Sequence, residues 1–270
     1  MIDGKYYMYG TNGMHAFGKG DVLNVYTSTD LVEWSDPHVV FKPDDNFWAD
    51  LDFWAPEVHK YNGKYYMFVS FNSNTKHRGT QILVSESPTG PFVPITEYPV
   101  TPAEWECLDG TLYVEDGVPY MIFCHEWTQA KNGEVCVIQL SEDLTNAVGE
   151  PFLLFRATDL PVVKSVKDDD CFVTDGPFIY RHSNGHLLMI WSSFGEKGYC
   201  EAIAYSESGK ISGPWKQCDR LLFEKDGGHG MIFKDKENNL KFVMHSPNHN
   251  PDERPKIIDV METENSIVLK

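Results

Sequence analysis

The sequence predicts an all-β fold, a five-bladed β-propeller with four antiparallel strands per blade and an incomplete first blade. A pattern of two apolar runs joined by a tight turn recurs, with turn glycines or their equivalents at 4, 63, 117, 185 and 239. Further strand-like segments lie between these hairpins, so each repeat supplies about four strands. Units of this length and strand number are typical of propeller blades. An irregular β-sandwich is the alternative, but it does not explain why the whole pattern returns.

The first repeat begins at its turn. Asp3 and Gly4 precede the apolar run at residues 5–9, which matches the second half of a hairpin. Strand-like segments follow at 22–26 and 28–34. The chain is therefore expected to begin inside blade I, with the innermost strand of that blade upstream of Met1.

The hairpin at residues 109–127 is the most complete copy. Runs at 111–114 and 118–124 flank Glu115-Asp116-Gly117, and Asp-Gly between apolar runs is a strong hairpin signal. Copies lie at 55–69, 175–191 and 229–244, with third strands predicted at 81–84, 134–140 and 202–205. Strands at 256–261 and 267–269 end the chain. No linker interrupts the pattern, so residues 1–270 are interpreted as a single propeller domain.

Each hairpin opens on a Gly or Pro, and the residues that directly precede it form a column: Ala55, Asp109, Asp175 and His229. The innermost strands of propeller blades line a central channel, so these positions should converge on one axis. Two carboxylates and an imidazole in a channel need partners, water or substrate, because burying them unpaired is unfavourable. The fifth column position is expected four to six residues upstream of Met1.

The amino-acid composition restricts the classes of binding partner. The formal net charge is −17 and the pI is near 4.9, which argues against nucleic acid or an anionic membrane as a partner. Aromatic residues make up 13% of the chain, which suits strands and surfaces that stack on sugar rings. The oligomeric state is left open by the sequence.

The cellular compartment is predicted from features that the sequence lacks. No apolar run approaches the length of a membrane span, and Met1 leads directly into a strand without a signal peptide, so a cytoplasmic location is expected. The six cysteines lack metal-site spacing, and Cys124 and Cys136 are interpreted as small buried apolar residues. The acidic run at 168–170 is interpreted as an exposed turn, with calcium binding as the alternative. Residues 11–20 are predicted to form a loop.

Candidate sugar-binding residues flank the column. The aromatic-acidic connection at 47–54 ends in Phe53 and Trp54, directly before Ala55, although blade packing is an alternative role for any one ring. Further candidates precede or follow the hairpins on the same face: Trp105, Glu106, His125, Glu126, Trp127 and, in the polar loop at 248–254, Arg254.

At these positions the sequence resembles glycoside hydrolase family 43, five-bladed propeller hydrolases of arabinose- and xylose-containing glycans. The resemblance rests on Trp54-Ala55-Pro56-Glu57-Val58, Leu108-Asp109-Gly110 and Gly227-Gly228-His229-Gly230, and it extends over nearly the whole chain. It implies that Asp109 tunes the pKa of the general acid and orients it. It also implies that His229 lies beside one Ca²⁺ or Na⁺ ion in the channel, with waters completing the coordination shell. A core histidine is the alternative for His229, and no organic cofactor is expected.

Two departures from the family pattern bear on activity. Asp175 stands in Thr174-Asp175-Gly176-Pro177, where the family usually has Glu. Because Asp is shorter by one methylene, its carboxyl would lie about 1–1.5 Å further from the glycosidic oxygen. A rebuilt subsite, a different acid (Glu106 or Glu126) or loss of hydrolysis are three ways to accommodate the shorter side chain. The general base aspartate would lie upstream of Met1, so this chain by itself could be inactive.

The resulting hypothesis is an inverting glycosidase, with Asp175 as acid and Asp109 as modulator. Inversion needs a protonated carboxyl at the leaving oxygen and a carboxylate that activates water, roughly 6.5–9.5 Å apart. Two alternatives stay open at this point. One is a non-catalytic sugar-binding propeller or a truncated inactive homologue, and the other is a different family of five-bladed glycosidases.

Overall fold

The computed structural model describes residues 1–12, 17–167 and 170–270, which form five small antiparallel sheets arranged as the blades of a propeller. Blade I has three strands in the described residues: β1 Tyr6–Gly10, β2 Leu23–Ser28 and β3 His38–Phe41. Blade II has four: β4 Leu51–Tyr61, β5 Lys64–Asn72, β6 Gly79–Ser85 and β7 Val93–Pro94. Blade III has four: β8 Cys107–Glu115, β9 Val118–His125, β10 Glu134–Leu140 and β11 Ala147–Arg156.

Blades IV and V repeat the four-strand order. Blade IV contains β12 Asp175–Arg181, β13 Leu187–Gly195, β14 Gly198–Ser206 and β15 Trp215–Gln217. Blade V contains β16 Gly228–Lys234, β17 Leu240–His245, β18 Pro255–Glu262 and β19 Ile267–Leu269. The described helices are one turn, α1 Trp127–Ala130, and a 3₁₀ turn at Ala157–Asp159. None of the helices in the described ranges is long and apolar enough to cross a bilayer. The predicted propeller with an incomplete first blade is confirmed.

The predicted hairpin turns of blades II and III are confirmed in detail. Asn62 and Gly63 have φ of 45° and 84°, and Asp116 and Gly117 have φ of 52° and 83°. Two consecutive positive φ values define the primed turn that matches strand twist, and Asn-Gly or Asp-Gly adopts it at low energetic cost. These turns therefore set the register of the inner hairpins of blades II and III, whereas those of blades IV and V close through the longer loops at 182–186 and 235–239.

The prediction for the outer strand of blade I was wrong. Residues 29–34 form a turn, because the Asp30 carboxylate accepts hydrogen bonds from the backbone N–H of Val32 and Glu33 at 2.9 Å each. A side chain that bonds its own backbone in this way competes with strand pairing. The outer strand lies further along the chain, at β3. Two loop predictions involve residues 13–16 and 168–169, which lie outside the described residues.

The core lies between blades rather than inside any one of them. Buried apolar side chains of the described residues form clusters that each join two neighbouring blades. Blades V and I meet through the Tyr6 and Phe233 rings, 6.2 Å apart, and through a 2.7 Å hydrogen bond from the Lys236 N–H to the Tyr6 hydroxyl. Cys124 and Cys136 are free and buried in this core, as predicted.

Each inner strand breaks its ladder at one equivalent step. The register shifts fall between Trp54 and Glu57, Leu108 and Thr111, Asp175 and Phe178, and Gly228 and Met231. The first unpaired residues of these bulges all have left-handed φ: Ala55, Asp109, Gly176 and His229 at 47°, 57°, 50° and 53°. A bulge changes the direction of a side chain relative to the sheet face. The same step of each inner strand therefore places its residue at the central channel.

The bulges correct one detail of the predicted column. The residue equivalent to Asp109 and His229 in blade IV is Gly176, and Asp175 stands one position earlier, in the last paired step before the bulge. Counting residues from the Gly or Pro of the motif could not detect this one-residue difference. The position of the bulge depends on hydrogen bonding to the neighbouring strand. Asp175 therefore enters the channel from a different backbone position than Asp109.

Candidate active site

Asp109 and Asp175 are brought together by the backbone of Gly176. The Gly176 N–H donates to Asp109 Oδ2 at 3.0 Å, across 67 residues of sequence. Asp109 is 8% exposed, and its own N–H donates to Ser70 Oγ at 2.9 Å. The peptide that follows Asp175 is thus fixed against the Asp109 carboxylate, which ties the two aspartates to one geometry.

The surroundings of Asp109 and Asp175 favour a state near neutral pH in which the pair of carboxyl groups carries one proton. Burial raises the pKa of the Asp109 carboxyl, while the hydrogen bond from Gly176 acts in the opposite direction by stabilising its ionised form. Burial also raises the pKa of Asp175, and the negative charge of Asp109 raises it further. Because Asp109 accepts a backbone N–H, we assign the negative charge to Asp109 and the proton to Asp175.

Tyr199 holds Asp175 through a hydrogen bond. Its hydroxyl donates to Asp175 Oδ2 at 2.8 Å, and burial raises the pKa of the phenol well above its ordinary value, so it stays a donor. The Tyr199 ring stacks on His245, with centroids 5.5 Å apart and planes at 24°. With Oδ2 bound to Tyr199, Oδ1 is the Asp175 oxygen on which a transferable proton can reside.

His229 faces both aspartates from blade V. Its Nδ1 lies 3.7 Å from Asp109 Oδ2, and its side chain is 31% exposed to the channel. Burial lowers the pKa of His229, so the imidazole is neutral at pH 7. A Cβ on residue 176 would come within 2.7 Å of the His229 ring, so the glycine lets the imidazole pack directly on the bulge.

Glu57 adds another carboxylate to the channel wall. Its Oε1 lies 2.5 Å from His59 Nε2 and accepts the Thr111 hydroxyl at 2.6 Å. Its negative charge raises the pKa of both Asp109 and His229. The predicted site did not include Glu57, although it lies in the quoted blade II motif.

Arg78 organises a corner beside this centre, and no sequence pattern pointed to it. Its guanidinium pairs with Glu126 at 2.5 Å and with Asp52 at 2.9 Å, and its carbon lies 4.2 Å from the Trp54 ring centroid. Burial raises the pKa of Glu126, partly opposed by Arg78. Trp54 and Glu126, predicted separately as sugar-binding residues, are thus joined through one cation.

The remaining candidates of blade III form a second group. Trp105 stacks on His125 with centroids 4.3 Å apart and planes at 14°. The two nitrogens of His125 contact Glu134 and Gln129 at 3.0 and 2.8 Å. Glu106 lies 2.5 Å from His77 Nδ1 through Oε1 and accepts the Arg78 N–H through Oε2 at 3.0 Å. Glu106 links this group to the corner organised by Arg78.

Three candidates are placed differently. Phe53 is 4% exposed and packs 4.7 Å from the Phe71 ring, so it belongs to the core and the prediction of sugar contact was wrong. Arg254 does not reach the channel, because its guanidinium is exposed and donates to the carbonyls of Pro251 and Glu253 in its own loop. Trp127 starts α1, with Lys167 Nζ 4.5 Å above its ring.

Glu201 and Ser192 lie behind the channel and were also missed. Both are fully buried on adjacent strands of blade IV, and the Ser192 hydroxyl donates to Glu201 Oε2 at 2.7 Å. Burial raises the pKa of Glu201 to about 8, so its carboxyl is protonated at neutrality. A Glu at position 201 inside an apolar run was the sequence signal that could have found it.

The described residues do not form a protein cage for a cation. They contain no group of three or more His, Cys, Asp or Glu side chains arranged to hold a metal. His229 offers one nitrogen, whereas calcium takes six to eight oxygen ligands. An ion beside His229 would therefore depend on water for most of its coordination shell.

Comparison with known proteins places this geometry in a family. A model described as glycosyl hydrolases family 43 matches residues 1–265. The crystal structure of an endo-arabinase from Bacteroides thetaiotaomicron VPI-5482 is 40% identical with a TM-score of 0.91, over 98% of this chain and 94% of that chain. A thermostable family-43 glycoside hydrolase, 24% identical, shares the fold with a TM-score of 0.84 over 100% and 90% of the two chains.

A relative of described activity matches part of the chain. A protein named xylosidase/arabinosidase from Bacteroides ovatus is 31% identical over 133 residues, which cover 43% of this chain and 41% of that protein. The chain therefore matches about two fifths of the length of this relative.

Replacing Gly176 by Ala should disturb the site more than the fold. Both Gly176 and Gly117 have positive φ, so Ala at either should lower the free energy of unfolding by about 1–2 kcal/mol. Only at 176 would the new methyl meet the His229 ring, since nothing lies within 4 Å of a Cβ at 117. Urea unfolding should show a stability loss in both variants, larger in Gly176→Ala because of this clash, and turnover should fall tenfold or more in Gly176→Ala alone. Equal activity in the two variants would contradict this packing role.

Proposed function

The chain belongs to glycosyl hydrolase family 43, and from that membership we propose that it hydrolyses glycosidic bonds in arabinose- or xylose-containing polysaccharides with inversion. The observation that carries the proposal is the contact between Gly176 N–H and the Asp109 carboxylate. It holds an ionised carboxylate against the backbone of a second, protonated aspartate. An endo-arabinase 40% identical over nearly the whole chain supports arabinan as the first substrate to test.

In the proposed reaction Asp175 is the general acid. As the bond from the anomeric carbon to the leaving oxygen breaks, the Asp175 proton moves to that oxygen and the carboxylate left behind is stabilised by the Tyr199 hydroxyl. Water attacks the anomeric carbon from the opposite face and loses its proton to a general base, which inverts the configuration. The family resemblance gives that role to an aspartate on the innermost strand of blade I, which is not among the described strands.

Asp109 keeps Asp175 protonated before each turnover. Two carboxylates close together do not both ionise readily, and the one with the backbone hydrogen bond retains the charge. Glu106 and Glu126 are weaker candidates for the acid, because Glu126 pairs with the Arg78 guanidinium and Glu106 with the imidazole of His77. Their proposed role is to shape the sugar-binding face together with Trp54, Trp105 and His125.

A sugar-binding propeller without turnover is the second candidate function. The observation in its favour is Asp at position 175, where the longer Glu of the family would reach further toward the leaving oxygen. The same ring-lined face would serve binding, so calorimetry with arabino-oligosaccharides and an assay for new reducing ends separate the two.

A hydrated Ca²⁺ or Na⁺ beside His229 is proposed as an accessory, supplying positive charge near the carboxylates. After exhaustive removal of metal with a chelator, calcium titration followed by calorimetry should show one site per chain that disappears in His229→Ala. Unchanged calcium binding in His229→Ala would contradict this assignment, and no calcium binding in the parent would rule out calcium as the ion.

Asp175→Ala should lose activity according to the leaving group. Hydrolysis of arabino-oligosaccharides, whose leaving oxygen needs a proton, should fall by about 10²–10⁴-fold in kcat. Hydrolysis of 4-nitrophenyl arabinoside, whose leaving group departs as an anion, should fall much less. The measurement is kcat on both substrates. Equal losses on both would argue against Asp175 as the acid, and an inactive parent that still binds would favour the second candidate function.

Asp109→Asn should move the alkaline limb of the pH profile to lower pH. Removing the negative charge beside Asp175 lowers the pKa of Asp175, so the acid loses its proton at a lower pH and activity falls earlier. The profile of kcat/KM on arabino-oligosaccharides measures this shift. Glu106→Gln is the control, because Glu106 contacts His77 and the Arg78 N–H rather than Asp175. An unchanged limb in Asp109→Asn would show that Asp109 does not tune the acid.

A further inference from the structure

Hydroxyl groups of one blade bind the bulges of the next. Thr11 Oγ1 accepts the Ala55 N–H at 3.0 Å, Ser70 Oγ accepts the Asp109 N–H at 2.9 Å, and Ser192 Oγ accepts the His229 N–H at 2.6 Å. Each of these hydroxyls follows the turn glycine of its own hairpin by seven residues. The contact is therefore part of the repeat and joins consecutive blades at the channel.

In two of these contacts a second residue binds the next peptide N–H. In blade II, Thr80 Oγ1 accepts the Gly110 N–H at 3.0 Å. In blade IV, Glu201 Oε2 accepts the Gly230 N–H at 3.2 Å and the Ser192 hydroxyl at 2.7 Å. Thr80 pairs with Ser70, and Glu201 pairs with Ser192, in the same register of neighbouring strands.

Glu201 is an unfavourable choice for stability alone. It is fully buried, and its Oε1 has no hydrogen-bond partner among the described residues. An unsatisfied buried polar atom destabilises a fold, and a threonine at the equivalent position of blade II provides the same acceptor without that penalty. The position therefore calls for a role beyond holding two blades together.

We propose that Ser192 and Glu201 are positioning residues that hold His229 in its catalytic orientation, an inference that rests on the proposed hydrolase function. His229 has a φ of 53°, a conformation that is unfavourable for a residue with a Cβ. Two consecutive N–H bonds, at 229 and 230, fix the peptide planes on both sides of its Cα. This fixed backbone directs the imidazole toward Asp109, with Nδ1 3.7 Å from Oδ2, while neither positioning residue contacts the channel itself.

The contact at Thr11 offers a matched control. It is the same kind of hydrogen bond between blades, and it ends at a bulge whose residue, Ala55, has no functional group. If these bonds only stabilise the propeller, Thr11→Val and Ser192→Ala should have the same consequences. If Ser192 positions His229, only the second should change the site.

The test uses Ser192→Ala, Glu201→Leu, Glu201→Gln and Thr11→Val in the full chain. Ser192→Ala and Glu201→Leu should lower kcat on arabino-oligosaccharides by about 10–100-fold with KM within about twofold, because small displacements of a catalytic group are costly. Glu201→Gln keeps the acceptor oxygen and should restore kcat to within about threefold of the parent. Thr11→Val should keep the parent kcat. Equal loss in Thr11→Val and Ser192→Ala would overturn the proposal.

A second readout does not depend on turnover. In protein labelled with ¹⁵N-histidine, the His229 imidazole signal is identified by its loss in His229→Asn. It should shift in Ser192→Ala and Glu201→Leu and stay unchanged in Thr11→Val and Glu201→Gln. An unmoved signal in Ser192→Ala would overturn the positioning role even in an active enzyme. If the parent shows no hydrolysis but the signal shifts as expected, the proposed function fails and the positioning role stands.

Discussion

The site depends on one backbone constraint, the break in the inner-strand ladder that recurs in blades II to V. A regular antiparallel strand directs alternate side chains to its two faces, and a bulge with a left-handed residue changes that direction at one point. Here the break places Asp109 and His229 at the channel and turns the Gly176 N–H toward Asp109. Asp109 and His229 therefore stand on strained backbone that the surrounding blades must hold.

The neighbouring blades supply that support through hydrogen bonds rather than through apolar packing alone. Hydroxyls at 11, 70 and 192 bind three of the bulges. At the bulge of blade IV the equivalent residue is Cys124, which is buried and free, and the Asp109 carboxylate binds the Gly176 N–H instead. Among the four bulges of the described residues, the bulge of blade IV lacks a hydroxyl partner, and there the Asp109 carboxylate makes the structural contact that couples the two aspartates.

Electrostatics then assigns unequal roles to two chemically identical side chains. Both carboxyls have raised pKa values because of burial, but only Asp109 accepts a backbone N–H and only Asp175 accepts the Tyr199 hydroxyl. His229 lowers the pKa of Asp175, but this effect is smaller than the increase caused by burial and by the negative charge of Asp109. The corner around Arg78 keeps three further acidic groups paired, which leaves Asp175 as the carboxyl suited to donate a proton.

The sequence by itself determined the features that are encoded in consecutive residues. Turn dipeptides such as Asn62-Gly63 and Asp116-Gly117, flanked by apolar runs, specify hairpins locally, and their recurrence specifies blades and the approximate column. Only the tertiary structure decided the contacts between residues far apart in the chain. Four features depend on how the blades pack. They are the position of Asp175 one residue before the bulge, the ion pairs of Arg78 with Asp52 and Glu126, the burial of Phe53, and the hydrogen bond from Tyr199 to Asp175. A repeat pattern records which strand a residue belongs to, whereas the partner that its side chain meets depends on the three-dimensional arrangement of distant segments.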